Sequence, residues 1–567
     1  MQVTESTHGG DPPAVVPHAA AAVGAGLAPP EGSAPRASWR GLLLAGLVFF
    51  LAPLAYALYT GHVWEDFFIT FRYSRNLALG NGLVFEPGER VHGFTSPINV
   101  LLPALFDRLN ESRSYEVPLR AFRVVSAAAF AAAGLLLVRL LGQESRPRDA
   151  APLVFALLLL LDFKAVAFSA NGQETAFVLF FLALGFACIY RGPAESWRLL
   201  GISWAGLLWT RPDGFIYIAI LGFASLAFGT APGRKQLPAL IRAALLCAVL
   251  YLPWFLTAWF YYGTPVPHTV VAKAIGRPDA PTGVALVKRV LAGVVDVAAL
   301  TAAPIYANLG SWPAWVDGLC LALGVFAAVY WLIPSADRPG RMASFIYLLG
   351  CFYLSFYVAT SYNGVPFPWY LPPVNFFALV VLARAPATLL TMIGSMKSVP
   401  FVPLLIQAVL VAGLAIMFVS GCRQMRVQQQ EIELGVRVPV GQWLAQNVAP
   451  GETVYSEALG YFGFFSQRHM LDWPGLVSPR VVQARRSGHN DYYSVLAAIR
   501  PDWLVLRPWE LRDASRVHAL EKDYELVKDF QASPLLSNYA SMPGFNYIQV
   551  DRAFVILRRK HRAEGGI

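Results

Sequence analysis

Two acidic residues stand side by side at Glu65 and Asp66, just after the first long apolar run of the chain. Adjacent carboxylates at a membrane surface are costly to desolvate, and an acid near lipid and aromatic side chains has its pKa raised. A carboxyl group tuned this way suits a general base that takes a proton from a hydroxyl acceptor. The same pair also suits a solvated helix end with both charges in water. A second group is basic. Lys273 closes the segment Pro265-Val266-Pro267-His268-Thr269-Val270-Val271-Ala272-Lys273 after another apolar run, and Arg211, in Thr210-Arg211-Pro212-Asp213, interrupts two apolar runs at the same level. Cations at that height could hold a lipid phosphate. Snorkelling side chains, or a local Arg211–Asp213 ion pair, would explain them without any ligand. Glu174, in Asn171-Gly172-Gln173-Glu174-Thr175, opens a further apolar run, where an acid also complements the helix dipole.

Other chemistry is excluded or unsupported. There is no GxSxG elbow, HExxH, Walker A loop or GxGxxG between a strand and a helix. Of the five cysteines, Cys188, Cys247, Cys320 and Cys351 lie inside apolar runs and Cys422 follows the last one. None forms a CxxC or Cys/His metal spacing, so they read as buried thiols. The acidic pair could take a divalent metal, although few clustered ligands accompany it. No cofactor is certain from the sequence.

The elements that carry these residues are membrane elements. Of 567 residues, 56% are hydrophobic and 14% charged, against about 25% charged in a soluble globular chain. Too few charges remain to coat a water-facing surface. The net charge of +10 does not point to nucleic acid. Its Lys and Arg residues sit in short loops between apolar runs, without a basic stripe interleaved with aromatics.

Crossing a hydrocarbon core of about 30 Å takes about 20 helical residues. Apolar runs near 41–59, 118–141, 150–168, 175–190, 199–211, 214–230, 239–260, 315–334, 342–360, 370–386 and 401–420 predict about eleven spans. With the N-terminus cytoplasmic, the inner loops carry Arg146 with Arg148, Arg191 with Arg198, Arg234 with Lys235, Arg338 with Arg341, and Arg384 with Lys397. The short outer connections 169–174 and 361–369 carry no Lys or Arg, as the positive-inside rule requires. An odd span count then puts the C-terminus outside. Asp162 and Lys164 lie toward the outer end of their run, where they could pair with each other.

Three regions flank the spans. Residues 1–37, rich in Ala, Pro and Gly, read as a disordered cytoplasmic tail. The membrane region covers 38–422, with long outer loops at 60–117 and 261–314. In the first of these loops Phe67, Phe68, Phe71 and Tyr73, near Arg72 and Arg75, predict an amphipathic helix at the interface. Residues 423–567 are more charged, with β-rich runs at 452–456, 501–506 and 553–557 and helical patterns at 438–447 and 492–500. They read as a small α/β domain on the outer face.

Residues 64–97 carry Trp64-Glu65-Asp66, Phe71-Arg72-Tyr73, Gly80-Asn81-Gly82, Pro87-Gly88-Glu89-Arg90 and Thr95-Ser96-Pro97. This stretch resembles the first outer loop of multispanning GT-C glycosyltransferases, most of all the mycobacterial-type terminal arabinofuranosyltransferases. The resemblance continues in order through Gly172-Gln173-Glu174-Thr175, Thr210-Arg211-Pro212-Asp213-Gly214, Tyr261-Tyr262-Gly263 with Thr269 and Ala272-Lys273, and Gly475-Leu476-Val477-Ser478-Pro479. It implies a polytopic helical protein in the inner (cytoplasmic) membrane that transfers a sugar with inversion. The implied donor is a polyprenyl phosphate sugar, and the implied acceptor a cell-envelope glycan, lipid or protein. The sugar would be arabinofuranose if the closest branch is followed. The resemblance implies Glu65 and Asp66 as the catalytic pair, although relatives usually carry Asp first. Lys273, with His268, Arg211 and Arg72, falls at positions for the donor phosphate; Glu174 and Arg90 are further candidate substrate contacts. A lipid-linked sugar flippase and a ligase for larger glycans are the alternative readings.

Overall fold

The computed structural model describes residues 39–144, 150–229, 232–275, 280–303, 312–361, 364–393, 402–518 and 520–560. The tail expected at 1–37 lies outside the described residues, as does Lys397. Helices dominate. Six are long and apolar enough to cross a membrane: Trp39–Thr60, Glu116–Gln143, Lys235–Tyr262, Ala314–Leu332, Arg338–Thr360 and Leu405–Asn447. Four shorter apolar helices, Ala151–Leu161, Thr175–Arg191, Gly214–Phe228 and Pro372–Pro386, pack among them. Many large apolar side chains point away from the protein, among them Leu58, Val249, Phe260 and Phe223. Water would not tolerate such a belt, whereas lipid tails do.

The run at 150–168 is not one helix. It is split into Ala151–Leu161 and Phe163–Phe168 at Asp162, whose carboxylate accepts the Ala165 N–H at 2.8 Å and starts the second helix. That cap is an alternative to continuing the helix. The anticipated Asp162–Lys164 pair is not made. The buried Lys164 ammonium donates instead to the carbonyls of Thr301, at 3.1 Å, and Ala303. The five cysteines are free and buried.

The helix Glu65–Leu79 also departs from expectation. Phe67, Phe68, Phe71 and Tyr73 are each no more than 1% exposed, so its aromatic face is packed in protein and not laid on lipid. Its aromatic face is covered by the C-terminal domain: the Phe68 ring meets Tyr461, Phe464 and Phe465 with centroids 4.6–5.3 Å apart. Aromatic pairs in this range add to the burial energy. The helix stops at Gly80, whose φ of 86° lets its N–H return to Asn76 and Leu77.

The last long helix does not end with the apolar stretch. It runs from Val402–Val427 into a π-helical segment, Gln428–Arg437, and then Val438–Asn447. Beyond it lies one sheet of order β2-β1-β3-β5-β4. Its strands are β1 (Thr453–Ser456), β2 (His469–Asp472), β3 (Trp503–Leu506), β4 (Tyr524–Gln531) and β5 (Ala553–Arg559). β1 is parallel to β2 and β3, while β5 runs antiparallel to β3 and β4. β1, β3 and β5 and the helices Val438–Asn447 and Tyr492–Ile499 fall where the sequence pattern put them. β2, although largely buried, has no β-branched residue and no Phe, Tyr or Trp, and β4 is an edge strand with most of its side chains exposed, so neither carries a strand signature in its sequence.

Candidate functional site

Two cavities meet at the start of the helix Glu65–Leu79. One, of about 470 Å³, is polar and lies against the sheet domain. Its wall includes Glu65, Arg437, Glu457, Trp473, Arg507 and Trp509. The other, of about 540 Å³, is largely apolar and runs between helices, past Phe94, Phe215, Ile216, Val270, Phe356 and Tyr357. Phe215 and Phe356, on its wall, are more than half exposed, so this cavity borders the apolar outer surface of the helices. Asp66, Ile69, Lys273, Trp369 and Leu476 line both cavities. An acid and a lysine therefore stand at the junction.

The two carboxylates are held differently. Glu65 Oε1 accepts the Gly460 N–H at 3.0 Å, and Glu65 Oε2 lies 3.0 Å from Arg437 Nη1. A glycine is needed at 460, because a Cβ there would run into the Glu65 backbone. The Asp66 carboxylate has no hydrogen bond or ion pair among the described residues. Burial raises its pKa; Lys273 opposes the shift, Glu65, Glu174 and Glu457 add to it, and the result is about 7. Glu65 is also pushed up by burial, against the pull of Arg437. Both acids occupy the first turn of their helix, where the dipole favours anions.

Behind Glu65 runs a ladder of alternating charges. Arg437 joins Glu65, Glu433 (3.2 Å) and Asp551; Arg507 joins Asp551 (2.5 Å), Glu457 (2.7 Å) and Glu510 (2.8 Å). Burial works against an ionised Asp551, but the two guanidiniums outweigh it and hold its pKa below the ordinary value. Burial lifts Glu510 to about 7 despite Arg507. None of these ladder residues lies near Glu65 in sequence except through the fold, and sequence reasoning missed them. The available signal was Glu431, Glu433 and Arg437 on the continuation of an apolar helix.

The remaining candidates divide. Glu174 and Arg211 line the apolar cavity, paired at 3.0 Å, and Arg211 also grips Asp213 at 2.8 Å. The Arg211 side chain is thus already neutralised by two carboxylates. Lys273 makes no ion pair among the described residues; its ammonium lies 5.5 Å from the centre of the Phe367 ring. Arg72, His268 and Arg90 line neither cavity. Arg72 is 1% exposed and binds Glu86, Gly463 O and Arg468 O at 2.8–3.1 Å, fastening the acid helix to the sheet domain. His268 donates its N–H to His92 O at 2.7 Å. Arg90 sits over the Tyr261 ring at 4.9 Å. Among the described residues, no group of three or more His, Cys, Asp or Glu side chains is arranged to hold a metal. The acids on the Glu65 side are interleaved with arginines, an arrangement that does not suit a divalent cation there.

Solved structures share this architecture. ArnT from Cupriavidus metallidurans, bound to undecaprenyl phosphate, matches 94% of this chain and 100% of its own at 13% identity, with a TM-score of 0.50. The apo oligosaccharyltransferase of Archaeoglobus fulgidus matches 92% of this chain and 89% of its own at 12% identity, with a TM-score of 0.53. The fold is GT-C-like. Residues 423–550 match a family model described as a domain of unknown function, DUF8728. No curated protein matches the chain.

Within this fold the loop after β2 deserves its place at the junction for a chemical reason. The fully buried Asp472 accepts the N–H groups of Gly475 (3.1 Å), Leu476 (2.5 Å) and Val477 (3.0 Å). Three N–H donors on one carboxylate fix the loop. It thereby presents Trp473 and Pro474 to the polar cavity and Leu476 to both.

Proposed function

We propose that this protein is an inverting membrane glycosyltransferase that moves a sugar from a polyprenyl phosphate donor to a hydroxyl acceptor. The observation that carries this reading is the junction itself: among the described residues, a carboxylate with no hydrogen bond or ion pair and a lysine with no ion pair line both a polar cavity and an apolar one bordered by the exposed Phe215 and Phe356. The apolar cavity takes the first part of a polyprenyl chain, and the polar one takes the acceptor. ArnT, which has this fold, was solved with undecaprenyl phosphate.

Asp66 acts as the base, because it alone of the acidic pair is not already bound by a cation and an N–H. It takes the proton of the acceptor hydroxyl. The oxygen forms a bond to the anomeric carbon from one side as the bond to the phosphate oxygen breaks on the other, inverting the centre. The electron pair leaves with the polyprenyl phosphate, which passes from one negative charge to two. Lys273 favours that developing charge more than the ground state, the condition for lowering a barrier. Glu65 orients the helix start through Arg437 and Gly460, while Arg211 and Glu174 shape the wall of the apolar cavity. No metal is needed in this scheme.

The helix Thr175–Arg191 starts next to the cavity-lining Glu174 and Arg338–Thr360 ends at the cavity-lining Thr360, and they carry Arg191 and Arg338 at their other ends. Under the positive-inside rule the basic ends are cytoplasmic. The active site and sheet domain then face the outside of the inner membrane, where a cell-envelope glycan, lipid or protein is the acceptor. The resemblance to terminal arabinofuranosyltransferases makes arabinofuranose the first sugar to test. Membranes carrying the protein should transfer labelled sugar from a polyprenyl phosphate monosaccharide. Wild-type transfer by Asp66→Asn and Glu65→Gln membranes alike would refute the assignment.

A further inference from the structure

Lys273 lies on a helix of seven residues, His268–Ala274. A helix this short is marginal in isolation, and its last carbonyls have no partner within it. The chain leaves it extended at Ile275, with φ −71° and ψ 93°. What meets those carbonyls comes from another part of the protein. Arg485, on the helix Pro479–Arg486, donates from Nη1 to Ala272 O at 2.7 Å and from Nη2 to Ile275 O at 2.7 Å. Nη1 also donates to Pro474 O at 3.0 Å, and the guanidinium lies 4.9 Å from the centre of the Trp473 ring. The side chain is 2% exposed. A cation at a helix C-terminus that also bonds its carbonyls opposes the negative end of the dipole.

We propose that Arg485 is a positioning residue for the donor phosphate: it holds the Lys273 backbone and the Trp473–Pro474 wall together, and so sets where the lysine ammonium stands at the junction. This rests on the reading of Lys273 as the phosphate ligand. Lys273 has four flexible methylenes and no ion pair of its own among the described residues. Its reach is therefore set by its backbone, and the planar fork of Arg485 fixes that backbone from two directions. The same guanidinium couples the donor lysine to the acceptor cavity wall, which ties the sheet domain to donor binding.

Full-length protein in nanodiscs, titrated with decaprenyl phosphate, tests the proposal. Arg485→Met should weaken binding by about tenfold and Arg485→Lys by less, since Lys keeps the charge without the fork. In a Lys273→Met background, Arg485→Met should add nothing further. Arg480→Met, which removes a contact from the same helix to Ile499 O, should leave binding unchanged. A merely structural role for Arg485 predicts additive losses, and either additivity or wild-type binding by Arg485→Met overturns the proposal. If Arg485→Met does not fold, Arg485→Lys carries the same comparison. Unchanged binding by Lys273→Met alone would instead overturn the donor-phosphate reading, and the Arg485 role with it.

Discussion

Arg437 stands 3.0 Å from the Glu65 carboxylate, while the next residue, Asp66, keeps its carboxylate free of any hydrogen bond or ion pair among the described residues. Two neighbours of the same chemical type thus have different work available to them. A base must be able to accept a proton, and an acid already bound by a guanidinium and an N–H is poorly placed for it. Asp66→Asn should lower kcat by about 10²–10⁴-fold with the fold intact. Glu65→Gln should lower it less and reduce thermal stability as well. Steady-state transfer rates and unfolding midpoints of the purified variants check both halves.

The acid limb of the pH profile follows from the same residue. Burial brings Asp66 to about 7, and a base works only when deprotonated. Transfer should therefore rise with pH up to about 7 and level off above it. Lys273 lowers the Asp66 pKa, so Lys273→Met should move the limb to higher pH as well as slowing the reaction. The kcat/KM profile of the two proteins measures the shift, and a limb that stays in place would remove Lys273 from the neighbourhood of the base.

Much of this arrangement was legible in the sequence because it is local. Glu65 and Asp66 follow an apolar run, Lys273 follows another, and hydropathy alone located the helices that bring them to one level. Asp66 and Lys273 were singled out by the order of short motifs along the chain, which needs no contact pattern. The ladder was not legible. Arg437 meets Asp551 across 114 positions, and Arg507 meets Glu457 across 50; neither spacing has a periodicity. Arg72 and Arg211 were legible as charges but not as roles. Whether a guanidinium faces a ligand or a neighbouring carboxylate depends on which loop folds over it, and here Glu86 and Glu174 come first. The cover of the acid helix was not legible, because an aromatic face reads the same whether lipid or a second domain lies on it.

The ladder predicts a stability effect separable from catalysis. Arg437 lies between three carboxylates, and removing it leaves Glu65, Glu433 and Asp551 buried with less compensation. Breaking a buried pair from one side costs about 3–5 kcal/mol. Arg437→Met should therefore lower the unfolding midpoint strongly in detergent, more than Arg90→Met, whose side chain is exposed over Tyr261. Thermal melts of the two variants side by side give the answer.

The two cavities predict a split between substrates. Ile216 lines only the apolar cavity and Trp509 only the polar one. Ile216→Trp fills the space assigned to the polyprenyl chain, and its larger side chain should raise KM for the donor several-fold while leaving acceptor KM alone. Trp509, 43% exposed at the mouth of the polar cavity, offers a flat apolar face beside charged groups, which suits the alternating CH and OH edges of a carbohydrate. Trp509→Ala should raise acceptor KM and spare the donor. Should both variants raise the same KM, the division of the site into donor and acceptor sides fails, because two separate cavities could not then be holding two separate substrates.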